Sequence, residues 1–298
     1  MNEIIPESVR EVARLFSGYG GKALLVGGSV RDMILHIDPK DFDIEVYGLE
    51  ASKIEELAQN LGKVSAVGKA FGILKVDFAG ISLDISLPRV DSKIGVGHRG
   101  FEAKTDPYMT IEEAAKRRDF TINSMALDPL TDQLYDPFNG LKDLENGILR
   151  VTDSERFKDD PLRIMRGLQF AARFNLTVEE GSFKIMQGEV TRLKELPRER
   201  LLEEWEKLLT KAKKPSIGLN LSSSLGVFDI LHPEFSLLSK TPQQPGFHPE
   251  GDVLTHTKLT TDAAAAIIRR QELDSDSAFT MMLAALCHDL GKPATTKV

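Results

Sequence analysis

Two aspartates two residues apart, Asp41 and Asp43 in Lys40-Asp41-Phe42-Asp43-Ile44, follow closely on Gly27-Gly28-Ser29-Val30-Arg31-Asp32. On an extended strand residues i and i+2 share a face. The two carboxylates would then stand together as hard oxygen ligands, a donor set suited to Mg²⁺, while Phe42 and Ile44 anchor the opposite face. A Gly-Gly turn leading into a helix is an anion cradle. Gly27 and Gly28 let backbone N–H groups approach a phosphate, the helix start adds a positive dipole, and Arg31 can fork onto phosphate oxygens. A third acid, Asp84 in Leu83-Asp84-Ile85-Ser86, falls on a neighbouring candidate strand. It suits a second-metal ligand or a base for a hydroxyl nucleophile, as two-metal phosphoryl transfer requires. Each feature alone also has an ordinary reading: a solvated edge strand for the acids, and a tight turn with a surface ion pair for Arg31.

Those residues need elements to hold them. Val9, Val12, Ala13, Leu15 and Phe16 recur at helical spacing over 6–18, and Gly18-Tyr19-Gly20-Gly21 ends that helix. Residues 23–26 then read as a short strand, and Ser29 as the N-cap of the next helix. Strands are expected over 41–46, 72–78 and 81–87, with a helix over 50–60. The Gly, Lys, Arg and Asp content of Pro88 to Tyr108, without periodicity, predicts a long loop. Beyond Asp153 the pattern is helical, near 160–174, 179–191, 198–212 and 216–230. A Pro-rich linker over 239–251 is followed by helices near 253–270 and 277–290.

The 298 residues carry a formal charge of −7, with 41% apolar and 28% charged residues. That balance describes a globular chain with enough length for two or three domains, and it lacks the general basic footprint of nucleic-acid binders. Local charge therefore matters more, and it is mildly basic from Arg89 to Arg118 and from Glu189 to Lys214. The single cysteine, Cys287, rules out an internal disulfide. No apolar run of spanning or signal-peptide length is present, so a cytoplasmic protein with no membrane partner is the expectation.

Four motifs in order, LVGGSVRD, KDFDIE, RRDFTINSMA (Arg117 to Ala126) and DDPLRIMRGLQFAARF (Asp159 to Phe174), resemble the bacterial-type, class II tRNA nucleotidyltransferase and poly(A) polymerase family over residues about 20 to about 235. The resemblance implies an α+β architecture. A polymerase-β-like mixed α/β nucleotidyltransferase head would span 1–145, and an all-α neck and body for nucleotide selection and RNA binding would span 146–240. It further implies Mg²⁺-dependent, template-independent addition of C and A, from CTP and ATP, to the tRNA 3′ end, with release of pyrophosphate. In this family the arginine before Asp119 and the Asp-x-x-Arg of the neck contact the incoming nucleotide, which here means Arg118, Asp160, Arg163 and Arg166.

The last three recur at i, i+3, i+6 and would line one side of a helix. Cytosine and adenine each offer an amino donor beside a ring-nitrogen acceptor, which a carboxylate beside a guanidinium can match. Uracil and guanine reverse that pattern and would leave polar groups unpaired. Asp160 and Arg163 are therefore the expected base readers. Gln169 stands where some family members have a further arginine, and Asp159 where many have Glu. The segment Arg89 to Thr105, with Gly97-His98-Arg99-Gly100-Phe101, resembles the flexible element used in switching from C to A addition. Its presence favours full CCA addition or A addition alone, with a poly(A) polymerase as the neighbouring alternative.

A second constellation, Phe247-His248-Pro249-Glu250-Gly251-Asp252, then His256, then Cys287-His288-Asp289-Leu290-Gly291-Lys292-Pro293, resembles the HD phosphohydrolase superfamily. Imidazole and carboxylate from different helices can hold a divalent metal that activates water. The resemblance implies the N-terminal part of an HD domain over 241–298, with His256, His288 and Asp289 as a candidate site for a second divalent metal. Hydrolysis of 2′,3′-cyclic or 2′ phosphates is the alternative function. The superfamily takes another aspartate from a later helix, and the sequence ends nine residues after Asp289, so a partial chain is expected. His248 reads as a group behind the ligands or a linker residue, and Cys287 as core.

Overall fold

The computed structural model describes residues 5–39, 41–65, 73–93 and 101–296. It divides into two compact units, one of Met1–Asn146 with Arg150–Asp159, the other of Gly147–Leu149 with Asp160–Val298. Residues 150–159 group with the first unit and residues 147–149 with the second.

The first unit opens with α1 (Glu7–Gly18), whose buried Val9, Val12, Ala13 and Phe16 form one stripe. β1 (Lys22–Val26) and α2 (Gly28–Ile34) follow, then β2 (Phe42–Tyr47), α3 (Ala51–Gln59), β3 (Lys63–Ser65), β4 (Ile73–Phe78) and β5 (Ile81–Ser86). β6 (Arg89–Lys93) and β7 (Phe101–Thr105) come next, then α4 (Ile111–Ala115), β8 (Ala126–Leu127), β9 (Leu134–Tyr135) and α5 (Gly140–Glu145). Seven strands make one mixed sheet in the order β3-β4-β5-β2-β1-β8-β9. β2 pairs antiparallel with β1 and parallel with β5, which places the acid-bearing strand at the centre. On one face, Leu24, Val26 and Tyr47 pack with Ala114 and Ala126, and so tie the sheet to α4.

Two expectations change here. Residues 89–93 and 101–105 are not loop: β6 and β7 pair antiparallel from Arg89↔Thr105 to Lys93↔Phe101. Charged and polar residues can form such a two-stranded ribbon because its ladder uses only backbone groups, which a search for apolar alternation misses. Gly97-His98-Arg99-Gly100 and Lys40 lie outside the described residues. Ser29 is also not the cap of α2. Gly27 holds that position, and the Ser29 hydroxyl donates to the Val26 carbonyl at 3.1 Å.

After β10 (Ile148–Leu149) and α6 (Ser154–Phe157), the second unit runs through α7 (Leu162–Phe174), β11 (Thr177–Val178), α8 (Glu180–Glu189), α9 (Arg198–Lys211), α10 (Pro215–Leu225), α11 (Val227–Leu231) and α12 (Pro233–Leu238). α13 (Val253–Gln271), α14 (Ser275–Cys287) and α15 (Lys292–Thr295) complete it. The helix expected over 216–230 breaks at Gly226 into α10 and α11. Trp205 stacks on Phe228 at 6.2 Å and Phe228 on Phe235 at 5.3 Å, which joins α9 to α11 and α12. Asp252, directly after the Pro-rich segment, caps α13 by accepting from the Thr255 N–H at 2.9 Å. Cys287 is exposed rather than core, because it closes α14 on the side away from the packed residues Ala278, Met282 and Leu286.

Candidate active site and candidate metal centre

The first unit gathers its acids by strand register. Parallel pairing of β2 with β5 sets Asp43 directly beside Asp84, and Asp41 stands one residue before β2. Asp41 and Asp43 are solvent-exposed and Asp84 is half-buried. Loss of hydration among the surrounding protein atoms raises the Asp43 carboxyl above its ordinary range. Arg118 opposes that shift, while Asp84, Asp41 and Glu45 add to it. Three acceptor-only groups that repel one another on adjacent strands fit a hard divalent cation.

Glu45 is the residue that sequence reasoning passed over. It follows Asp43 at the same i+2 spacing on β2, and it is 1% exposed. Its carboxylate accepts from the guanidinium groups of Arg117 at 2.5 Å and Arg118 at 3.2 Å, and from the Tyr47 hydroxyl at 2.9 Å. Burial alone would raise its pKa; Arg118 and Arg117, together with the hydrogen bonds from Arg117 and Tyr47, bring it below the usual carboxylate range. The period of two that pointed to Asp41 and Asp43 also reaches Glu45, so the signal was available.

Both arginines are delivered by a short helix with a strong start. Thr110 and Glu113 form a capping box: the Glu113 N–H donates to the Thr110 hydroxyl at 3.2 Å and the Thr110 N–H to the Glu113 carboxylate at 3.0 Å. α4 then runs for little more than one turn to Ala115, and Lys116 caps it just before Arg117 and Arg118. Arg118 lies over the Gly27 turn, where a Cβ on Gly27 would sit 2.7 Å from Nη1 and 3.6 Å from Asp43 Oδ2. Gly27 has φ +75° and ψ −136°, a conformation reserved for glycine.

Arg31 lies folded beneath its own turn. It is 4% exposed. Its guanidinium forks onto Asp32 Oδ1 at 2.9 and 2.6 Å and donates to Asn123 Oδ1 at 2.5 Å. Asn123 in turn donates to Asp119 Oδ1 at 2.9 Å, and the Phe120 N–H donates to the same atom at 2.8 Å. Arg31, Asn123 and Asp119 thus brace the Gly27-Gly28 turn against the Arg117 to Ala126 segment. Spacing alone does not distinguish an arginine that reaches outward from one that folds under its own turn.

In the second unit, Asp160 precedes α7 rather than riding on it. One carboxylate oxygen accepts from the Leu162 N–H at 3.0 Å and the other pairs with Arg200 of α9 at 2.8 Å. Arg163 and Arg166 are half-buried on one side of α7, and the Arg166 guanidinium lies 5.1 Å from the Phe170 ring centre. Gln169 is 2% exposed and accepts from Arg173 at 3.1 Å. Arg200 is a second residue missed from sequence, since nothing at short range links it to Asp160.

Residues 23–150 match the family model described as the poly A polymerase head domain, and residues 175–238 match one described as a probable RNA and SrmB-binding site of polymerase A. The chain belongs to the tRNA nucleotidyltransferase and poly(A) polymerase family. A multifunctional CCA protein of Xylella fastidiosa (strain 9a5c) is 34% identical over 281 residues, 93% of this chain and 64% of that protein. One from Vibrio parahaemolyticus serotype O3:K6 is 36% identical over 281 residues, 91% of this chain and 64% of that protein. A solved CCA-adding enzyme with ATP is 26% identical with a TM-score of 0.68, over 96% of this chain and 63% of that one. The chain spans 64% of the length of those two curated relatives.

The first cluster falls within the residues matched by the head-domain model; the second runs from His248 and Glu250, before α13, to the residues after α14. His256 Nδ1 lies 2.6 Å from Glu250 Oε1, and His248 Nδ1 lies 3.0 Å from the same oxygen. His288 Nδ1 lies 2.9 Å from the Ala285 carbonyl. A carbonyl only accepts, so His288 donates through Nδ1, and its Nε2 lies 3.2 Å from Asp289 Oδ2. His256 Nε2 faces the same oxygen at 3.9 Å, and Lys292 Nζ approaches it at 2.8 Å. The Glu250 carboxyl is pulled down to about 2, first by a backbone hydrogen bond and then by His248 and His256. The structure therefore brings together the three expected ligands, His256, His288 and Asp289. It adds Glu250 and Lys292 to them. Among the described residues, no helix is long and apolar enough to cross a membrane.

Proposed function

We propose that the chain is a template-independent tRNA nucleotidyltransferase that adds C and A from CTP and ATP to the tRNA 3′ end. The observation that carries this reading is the β2–β5 register that sets Asp43 beside Asp84, with Asp41 at the mouth of the strand. Asp41, Asp43 and Asp84 would hold Mg²⁺. When bound, that ion would neutralise phosphate oxygens and lower the proton affinity of an attacking hydroxyl. The RNA 3′ hydroxyl then attacks the α-phosphorus and pyrophosphate leaves.

The other roles follow from the side chains. Backbone groups of the Gly27-Gly28 turn receive the triphosphate, and Arg31 holds that turn in shape. Arg118 contributes the cationic contact to the nucleotide. Asp160 and Arg163 read the pairing edge of cytosine or adenine, with Arg166 beside them. Arg200 fixes the Asp160 carboxylate, whose oxygens each keep a further lone pair for an amino group.

Incorporation of CTP and ATP, offered separately to tRNA lacking CCA, to tRNA ending in CC and to an unrelated RNA, tests the reading. CTP is expected to enter the first substrate and ATP the second, with neither entering the third. ATP uptake without CTP uptake would convert the assignment to an A-adding enzyme. Long A tracts on the unrelated RNA would convert it to a poly(A) polymerase. No incorporation at all would overturn it.

A second site is favoured by the histidine geometry. We infer that His256, His288 and Asp289 hold a divalent metal independent of the first, since two imidazole Nε2 atoms face one carboxylate oxygen. The chemistry such a centre supports is phosphoester hydrolysis.

A further inference from the structure

We propose that Glu45 is the positioning residue for Arg118: it holds the guanidinium over the Gly27 turn and off Asp43. This rests on the nucleotidyltransferase reading, in which Arg118 meets the nucleotide and Asp43 meets the metal. Arginine is long and has many rotamers, and the first unit offers Arg118 two kinds of carboxylate. Glu45 accepts its Nη2 at 3.2 Å. Asp43 Oδ2 and Arg118 Nη1 flank one point, a Cβ on Gly27 lying 3.6 Å from the first and 2.7 Å from the second, and the two side chains are electrostatically coupled. An arginine drawn to Asp43 would neutralise a metal ligand and leave the nucleotide without its partner.

Glu45 is built to win that competition. It is 1% exposed, and Tyr47 and Arg117 fix its carboxylate from two other directions. Arg117 neutralises the buried charge, while the capping box of α4 sets where both arginines leave the helix. The order of dependence runs from the sheet, through Tyr47 and Glu45, to Arg118. Glu45 itself need not touch substrate.

The test uses Glu45→Gln, which preserves shape and removes the charge, in the full chain. Two readouts are taken: side-chain ¹⁵N NMR of Arg118 without substrate, and steady-state kinetics for CTP and ATP. In the wild-type protein the Arg118 guanidinium is expected to show slow rotation, and in Glu45→Gln fast rotation. The variant should lose about 10²-fold in kcat/KM, the scale of a misplaced contact, chiefly through a higher nucleotide KM. Glu45→Asp should recover part of that loss. Glu45→Gln with Arg118→Ala should be no worse than Arg118→Ala alone, because the effects share one path.

Losses that multiply, or an Arg118 that stays ordered in Glu45→Gln, would overturn the proposal. Should the amide variant fail to fold, Glu45→Asp carries the same two measurements, with a smaller rise in KM expected and an unchanged KM overturning it. A wild-type protein that incorporates neither nucleotide would defeat the nucleotidyltransferase reading. The NMR comparison then decides by itself whether Glu45 orders Arg118.

Discussion

The sheet-borne cluster and the histidine cluster both place carboxylates where a divalent cation can sit, yet they keep those ligands available by opposite means. In the first unit the nearby cations are diverted. Arg117 and Arg118 are bound to Glu45, a fourth acid, so Arg118 opposes the repulsion of Asp84 and Asp41 on Asp43 while its hydrogen bond goes to Glu45. In the second unit a cation is admitted, since Lys292 approaches Asp289 at 2.8 Å. The histidines are kept available instead by acceptors on their far nitrogens, Glu250 for His256 and the Ala285 carbonyl for His288. Register fixes the first set rigidly, whereas helix ends and side-chain tautomers fix the second. The two centres should therefore fail separately.

The largest effect is expected in the first. Asp43→Ala removes a ligand worth several kcal/mol of transition-state stabilisation, or about 10³-fold in rate at roughly 1.4 kcal/mol per decade. Incorporation of both CTP and ATP should fall by at least that factor, with an unchanged circular-dichroism melting curve. Retained turnover would show that the β2–β5 acids are not the metal site. It would also remove one side of the comparison.

His288→Ala tests the other side. Mn²⁺ binding measured by equilibrium dialysis, in an Asp43→Ala background so that only the histidine cluster is counted, should be lost. Nucleotide incorporation by the His288→Ala single variant should stay within about twofold of wild type, the behaviour of sites with no shared partners. Glu250→Gln should weaken Mn²⁺ about 10–100-fold without abolishing it, the usual cost of losing the acceptor behind a ligating histidine. Equal losses in polymerisation and in Mn²⁺ binding would mean that the clusters are coupled.

How legible each region was in the sequence follows from the range of its interactions. Asp41, Asp43 and the strands around them were readable because alternation is a local signal, and α7 and α13 because helical spacing is local too. The partnership of Asp43 with Asp84 was legible only as two candidate strands, since their parallel register is set by the rest of the sheet. The bond from Arg31 to Asn123 was not legible because it spans 92 residues, and Arg200 was missed because its partner lies 40 residues away. The β6–β7 ribbon escaped notice because its pairing is carried by backbone groups that leave no apolar pattern. Side chains that choose among several partners were the least readable part of the site. Glu45 is the exception: it lay on the same face as the aspartates and was passed over only because its task is to bind arginines rather than metal.

The smallest effect belongs to the backbone beneath Arg118, and it separates the two glycines of the turn. Gly27 has φ +75° and ψ −136°, so Gly27→Ala should cost about 1–3 kcal/mol from backbone strain alone, read as a lower urea midpoint. Its new methyl would also meet Arg118 Nη1 at 2.7 Å, and the guanidinium would have to give way. Gly28 has its nearest such atom, Arg31 Nη2, at 3.3 Å, and it lies inside the helix range of α2. Gly28→Ala should therefore cost less stability than Gly27→Ala, and it should leave Arg118 in place. If both substitutions raise the nucleotide KM equally, the turn acts as a single phosphate cradle and Arg118 does not depend on Gly27. If only Gly27→Ala raises it, the seat of Arg118 is set jointly by the turn below and by Glu45 beside it, while Mn²⁺ binding at His256, His288 and Asp289 is unmoved by either change.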